Sequence, residues 1–185
     1  MATAEMLELM TAEEFGRRPD PGYPEELVRG RVVAMSVPDR RHGYVCGRAD
    51  RIFGNFVDER DIGRVMCNDS GVITERGPDT VRGADVAYYS YARLPKGTLP
   101  TGYGPEVPEL VVEVCSENDR WLEILDKVAE YLNAGVLIVI VLDPEPRITH
   151  VFSADKPPRT LKIDEELLLP GILDDFRVRA GRFFE

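Results

Sequence analysis

Histidine, cysteine and long apolar runs are the scarce features of this chain. The two histidines, His42 and His150, stand singly, with no second histidine at ligand spacing. The three cysteines, Cys46, Cys67 and Cys115, form no CxxC pair. An odd, scattered set gives neither a disulfide framework nor a zinc ligand set, and it fits a reducing cytoplasm. No GxSxG, GxxxxGK[ST] or HExxH occurs, which removes serine-hydrolase, P-loop NTPase and zincin readings at the motif level. No apolar run reaches bilayer length, and Met1-Ala2-Thr3-Ala4-Glu5 has no basic segment, so neither a span nor a secretory signal is expected. Bases are also short: 23 against 33 acids, a net charge of -10. That balance argues against a generic nucleic-acid coat, which binds by neutralising phosphates. Arg40, Arg41, His42, Arg48 and Arg51 nevertheless cluster, as either a local basic face or a solvated helix face.

What is present is an ordinary globular composition, 43% hydrophobic and 30% charged. The length suits one α/β domain over residues 1–185. Thr11-Ala12-Glu13-Glu14 reads as a capping box opening a short helix. Glu26 to Met35 predicts one strand or two, hinged at Gly30. A helix is expected from near Arg41 to near Arg60, with Val45, Ala49, Ile52, Phe53, Phe56 and Val57 on one face. Strands are expected around Val65–Thr74, Ala84–Tyr89 and Leu110–Cys115, the last two joined by a proline- and glycine-rich loop. Ser116, with Asp119 three residues on, predicts the cap of a helix whose buried stripe is Trp121, Ile124, Leu125, Val128 and Leu132, ending at Gly135. Val136 to Leu142 is apolar on both faces, as a central strand requires. Arg147–Phe152 and Thr160–Leu168 read as a closing antiparallel pair. Strand, helix and strand across Glu113 to Val141 imply a parallel crossover in a mixed α/β fold.

Glu113 is the residue out of place. It sits in Glu109-Leu110-Val111-Val112-Glu113-Val114-Cys115-Ser116, an otherwise buried strand. Alternation points it the same way as Val111 and Cys115. A lone carboxylate in an apolar layer is costly unless a cation or hydrogen-bond donors meet it. Asp85 lies in a second such run, and the two acids together suit a hard cation such as Mg2+. Lys127, on the flank of the following helix, can present its ammonium to Glu113 or to an attacking water. Glu26 is the fourth member, able to complete a metal shell or position a water. Acids, a lysine and a metal form a kit for phosphodiester hydrolysis. Each has a plain alternative: Asp85 binding a turn backbone, Glu113 in a structural ion pair, Lys127 as a helix-flank lysine, and Glu26 as a surface acid.

In this order and spacing the pieces resemble the Uma-type restriction endonucleases, a branch of the PD-(D/E)XK nuclease superfamily. The residues that carry the resemblance are Met10 to Phe15, Glu26 to Met35, Ser36 to His42, Asp85-Val86-Ala87, and Pro108 to Ser116. Lys127, Tyr131, Ala134-Gly135-Val136, Leu142-Asp143-Pro144, Leu169-Pro170-Gly171 and Phe183-Phe184 complete the set. The resemblance implies a restriction-endonuclease-like core, a mixed sheet flanked by helices. It further implies Asp85 and Glu113 as acids binding Mg2+ or Mn2+, and Glu26 as an acid near the site. Cys115 stands where the superfamily motif has lysine, a role that the resemblance moves to Lys127; Ala84 replaces the proline of the PD pair. Two readings follow. One is a metal-dependent endonuclease acting on DNA, possible as a homodimer, with contacts from the Arg40–Arg51 face or from Arg93 and Lys96. The other is a catalytically silent fold that serves as a binding or regulatory partner.

Overall fold

A computed structural model describes residues 9–97, 99, 101–117 and 120–185. Met1–Glu5 and Asp119, which carried the signal and capping expectations, lie outside these residues. Helix α1 (Ala12–Gly16) opens on the expected capping box: the Thr11 hydroxyl accepts from Glu14 N, and the Glu14 carboxylate accepts from Thr11 N at 2.8 Å. Strands β1 (Glu25–Val28) and β2 (Arg31–Ala34) form a hairpin. Its turn, Arg29-Gly30, needs positive φ at both residues, 49° and 74°. Helix α2 (Arg40–Arg60) starts at Asp39, whose carboxylate accepts from His42 N at 2.8 Å, and buries Val45, Ala49, Phe53 and Val57.

Strands β3 (Gly63–Glu75), β4 (Thr80–Ser90) and β5 (Leu110–Val114) follow. Helix α3 (Trp121–Ala134) then leads to β6 (Ile138–Asp143), which runs parallel to β5 as the crossover requires. Strands β7 (Ile148–Ser153) and β8 (Lys156–Leu161) extend the sheet. The result is a mixed α/β fold around an eight-stranded, mostly antiparallel sheet in the order β2-β1-β4-β5-β6-β7-β8, with β3 pairing β4. A separate two-stranded sheet joins β9 (Glu166–Leu169) to β10 (Leu173–Arg179), and a 3-10 turn at Ala180–Phe183 follows. Phe176 and Phe183 from this C-terminal unit stack on Phe53 of α2, with ring centroids 5.0 and 5.7 Å away. One face of the main sheet is thus covered by α2 and the C-terminal unit, the other by α3. No described helix is long and apolar enough to cross a membrane.

Three expectations are corrected. Helix α3 begins at Trp121 with Arg120 at its N-cap and no side-chain cap, so Ser116 is not the cap. Trp121 is 41% exposed, and Tyr131, fully buried, takes its share of the stripe. The stretch Thr160–Leu168 is not one strand. A turn closed by Lys162 N donating to the Glu165 carboxylate (2.8 Å) and Glu165 N donating to Lys162 O (3.0 Å) reverses the chain. The residues before it pair with β7, and those after it pair with β10.

The feature that builds the site is a fork. Strand β4 pairs with β3 along nearly its whole length on one edge. Its other edge changes partner, from β1 at Val81 to β5 at Val86. Residues Arg82 to Asp85 lie in the gap. Two main-chain donors there are met by carboxylates: Gly83 N donates to Glu26 Oε1 at 3.2 Å, and Val114 N donates to Asp85 Oδ2 at 2.7 Å. The fork exists because β1 and β5 cannot share one stretch of edge, and acids satisfy what strands leave unpaired.

Candidate functional site

The fork gathers all four residues singled out from the sequence. Glu26, Asp85, Glu113 and Lys127 line one cleft of roughly 100 Å³, together with His42, Asp69 and Ser116. Each arrives from a different element: β1, β4, β5 and α3. The register that sets Val86 opposite Val112 carries Asp85 and Glu113 toward one another at the end of the paired stretch.

Glu113 is 9% exposed. The Tyr131 hydroxyl donates to its Oε1 at 2.8 Å, and Lys127 Nζ lies 3.9 Å from its Oε2. Burial pushes its pKa up to about 8, against the pull of Lys127 and with a further push from Asp85. Burial thus outweighs the Lys127 ammonium that already lies beside the carboxyl. Tyr131 is raised well above its ordinary value by burial and then by Glu113, so it stays a phenol that donates.

Glu26 is 3% exposed, so the surface-acid alternative fails. Its Oε1 accepts from Lys127 Nζ at 2.9 Å and its Oε2 from Arg82 Nη1 at 2.8 Å. Burial would raise its pKa, but Lys127 and Arg82 outweigh burial and hold it below the ordinary value. For Lys127 burial disfavours the charge, yet Glu113 and Glu26 together raise its pKa, so it remains an ammonium. Arg82 is clamped on its far side by Glu130, whose oxygens accept at 2.6 and 2.9 Å. A chain of alternating charge, Glu130–Arg82–Glu26–Lys127, therefore runs from α3 through the fork and back, and its ammonium end lies beside the Glu113 carboxyl.

Asp85 faces the other helix, with His42 Nε2 3.3 Å from its Oδ2. The Cys46 Sγ lies 3.4 Å from His42 Nδ1 and 4.0 Å from Nε2. Sequence reasoning missed His42, Cys46, Arg82, Glu130 and the direct bond of Tyr131. The absence of a zinc-type ligand set was read from the cysteines and the histidines taken separately. One signal was available: His42 and Cys46 are four apart, so on a helix they share a face. The third donor, Asp85, comes from another element and leaves no local trace. Asp69 reaches the cleft from a bulge in β3, where Asn68 and Asp69 both have positive φ (66° and 54°).

Cys115 shares a pocket with Glu113 and Lys127. The ammonium thus comes from α3 into the space next to Cys115. Of the proposed basic contacts, exposed Arg40 and Arg41 flank the adjoining pocket beside Ser116 and Glu117. Arg48 donates to Arg182 O, and Arg93 Nη1 donates to the carbonyls of Val107, Pro108 and Gly135, so both bind within the fold. Lys96 pairs with Asp61 and lies over the Tyr91 ring.

Comparison with known proteins agrees with this architecture. A solved structure from Anabaena variabilis ATCC 29413, titled a putative nuclease belonging to DUF820, superposes with a TM-score of 0.82. It covers 95% of this chain and 97% of its own, at 15% identity. No curated protein matches the sequence. Residues 12–180 match the model of the Uma2 family, described as "Putative restriction endonuclease". The match spans most of the sequence, and the chain belongs to the Uma2 family.

Proposed function

We propose that the chain is a divalent-metal-dependent nuclease that hydrolyses DNA phosphodiester bonds at the fork, with Asp85 and Glu113 holding Mg2+ or Mn2+. The observation that carries this reading is the convergence in one cleft of Glu113, a buried carboxyl, with a second carboxylate and an ammonium. The donors fit a hard ion, since both are carboxylates and the cleft opens to water. When bound, the cation supplies Lewis-acid activation and neutralises charge on the phosphate.

The chain's own groups do the rest. Glu26, with both oxygens engaged, is a positioning residue that anchors the Lys127 ammonium. Lys127 supplies a fixed positive donor for a phosphate oxygen, an interaction that strengthens as charge develops there. Tyr131 holds Glu113 in orientation from below. Arg40 and Arg41 offer phosphate contacts at the rim. The nuclease wording attached to the family and to the structural neighbour supports the same reaction class. The silent-fold alternative draws on Lys127 already being paired with Glu26.

One experiment separates them: nicking of supercoiled plasmid with Mg2+ or Mn2+, wild type beside Asp85→Asn. The nuclease reading expects metal-dependent nicking that falls by at least about 100-fold in the variant, the upper range for a lost partner around a metal site. Circular dichroism checks that Asp85→Asn is folded. Equal nicking by both proteins, or none by the wild type with either metal, overturns the reading.

A further inference from the structure

A second group of donors lies on the α2 side of Asp85, and its chemistry is not that of the carboxylate pair. We infer that His42, Cys46 and Asp85 form a binding site for a thiophilic divalent cation of the zinc or cobalt class. The three offer one nitrogen, one sulfur and one oxygen, all within 4.8 Å of one another. A magnesium site would not include a thiol, because Mg2+ prefers oxygen, whereas Zn2+ and Co2+ take sulfur, imidazole and carboxylate together.

The local fold explains why the donors converge. Asp39 fixes the first turn of α2 by accepting from His42 N at 2.8 Å, and the helical repeat then stacks Cys46 one turn beyond His42. Asp85 is fixed by Val114 N, which donates at 2.7 Å to the same Oδ2 that faces His42. Around a tetrahedral cation with bonds of about 2.1 Å to nitrogen or oxygen and about 2.3 Å to sulfur, donor atoms stand about 3.4–3.6 Å apart. His42 Nε2 is 3.3 Å from Asp85 Oδ2 and 4.0 Å from Cys46 Sγ, so the sulfur needs to close by less than one ångström.

There is room for the ion and for a water as fourth ligand. The donors open onto a cavity of about 240 Å³ that Gly43 and Gly47 also line. A methyl group built on Gly43 would meet nothing within 4 Å, so this side of the helix is open. Three protein ligands and one open position are the pattern of accessible rather than purely structural zinc sites. Binding is balanced by loss of protons to solvent: the Cys46 S–H bond breaks as an S–metal bond forms, and His42 Nε2 donates its lone pair once any proton on it has passed to Nδ1 or to solvent. No redox partner is needed. The inference meets the nuclease reading only at Asp85, which both sites use. A thiophilic ion would therefore compete with the carboxylate site rather than support it.

The test is spectroscopic and needs no substrate. Metal-free full-length protein is titrated with Co2+, and the near-ultraviolet sulfur-to-cobalt charge-transfer band is followed with the visible ligand-field bands. One equivalent should saturate the band. It should vanish in Cys46→Ala and Cys46→Ser and persist in Cys67→Ala and Cys115→Ala, while His42→Ala should weaken Co2+ affinity by about 10-fold or more. Circular dichroism confirms that each variant is folded, and the serine variant preserves side-chain size. No charge-transfer band in the wild type, or a band that survives loss of Cys46, overturns the site. Because plasmid cleavage is not read, the outcome stands apart from the nuclease test: either proposal can fail alone.

Discussion

At the scale of single residues, Glu113 concentrates the physics of the site. Its pKa is about 8 in the folded chain against 4.5 for the unperturbed group, with burial as the main cause. Below about pH 4.5 the folded and unfolded chains both carry the proton, and the stability linked to this group is fully present. Between there and about 8 the unfolded chain has released a proton that the folded chain keeps, so stability falls as pH rises. Above about 8 the loss is complete, with a ceiling on the order of 5 kcal/mol. Glu113→Gln removes the titration but keeps the acceptor for Tyr131. The variant should match the wild type near pH 5 and exceed it near pH 9 in urea unfolding. Equal pH slopes for the two proteins would refute the buried-acid account. Added Mg2+ should stabilise the wild type, as a ligand of the native state does, and leave Glu113→Gln unchanged. Tyr131→Phe makes the complementary point. Losing the 2.8 Å bond should cost about 1 kcal/mol and move the Glu113 pKa further up, since that bond favours the ionised form.

At the scale of elements, helices α2 and α3 and strand β6 were legible because each repeats one simple pattern. Val45, Ala49, Phe53 and Val57 recur at helical spacing, and Val139 to Leu142 are buried on both sides of a strand. Strand β10 was not legible: Asp174, Asp175 with φ 64° and a register shift after Leu173 break the alternation that would have marked it. Glu113 announced itself because a charge inside a β-branched run is a local contradiction. Arg82 and Glu130 did not, because an arginine and a glutamate among other charges look solvated until the fold brings them together. That pair is nevertheless structural. Arg82 is braced between Glu26 and Glu130, so Arg82→Met should destabilise the chain by about 3 kcal/mol by leaving Glu130 without its cation and Glu26 with Lys127 alone. Thermal unfolding measures it, and a loss below about 1 kcal/mol would mean that the acids find other donors. The end of α3 matters for the same site. Gly135 sits at φ 103° with no atom within 4 Å of an added methyl group, and its N–H together with that of Val136 closes the turn carrying Tyr131. Gly135→Ala should therefore cost backbone strain alone, about 1 kcal/mol, and lower Tm by about 2–4 °C.

At the scale of the whole molecule, the tension is between a net charge of -10 and the polyanionic substrate that the proposed nuclease reading requires. A chain this acidic repels DNA over most of its surface, so productive approach depends on a small cationic margin. Arg48 and Arg93 are spent on carbonyls inside the fold, and Lys96 is paired with Asp61. Arg40 and Arg41 remain exposed at the N-terminal end of α2, beside the pocket that adjoins the fork. Under the proposed function, their place at the rim, outside the cluster of buried acids, assigns them to binding rather than to chemistry. Arg40→Ala and Arg41→Ala should each weaken DNA binding without regard to base sequence and reduce the slope of log K against log salt by about 1 per lost phosphate contact. In Mg2+-supported cleavage the same variants should raise KM and leave kcat nearly unchanged, because uniform binding is what they remove. A fall in kcat at constant KM would move these arginines from the rim to the reacting phosphate, and an unaltered salt slope would place the DNA on another face of the molecule.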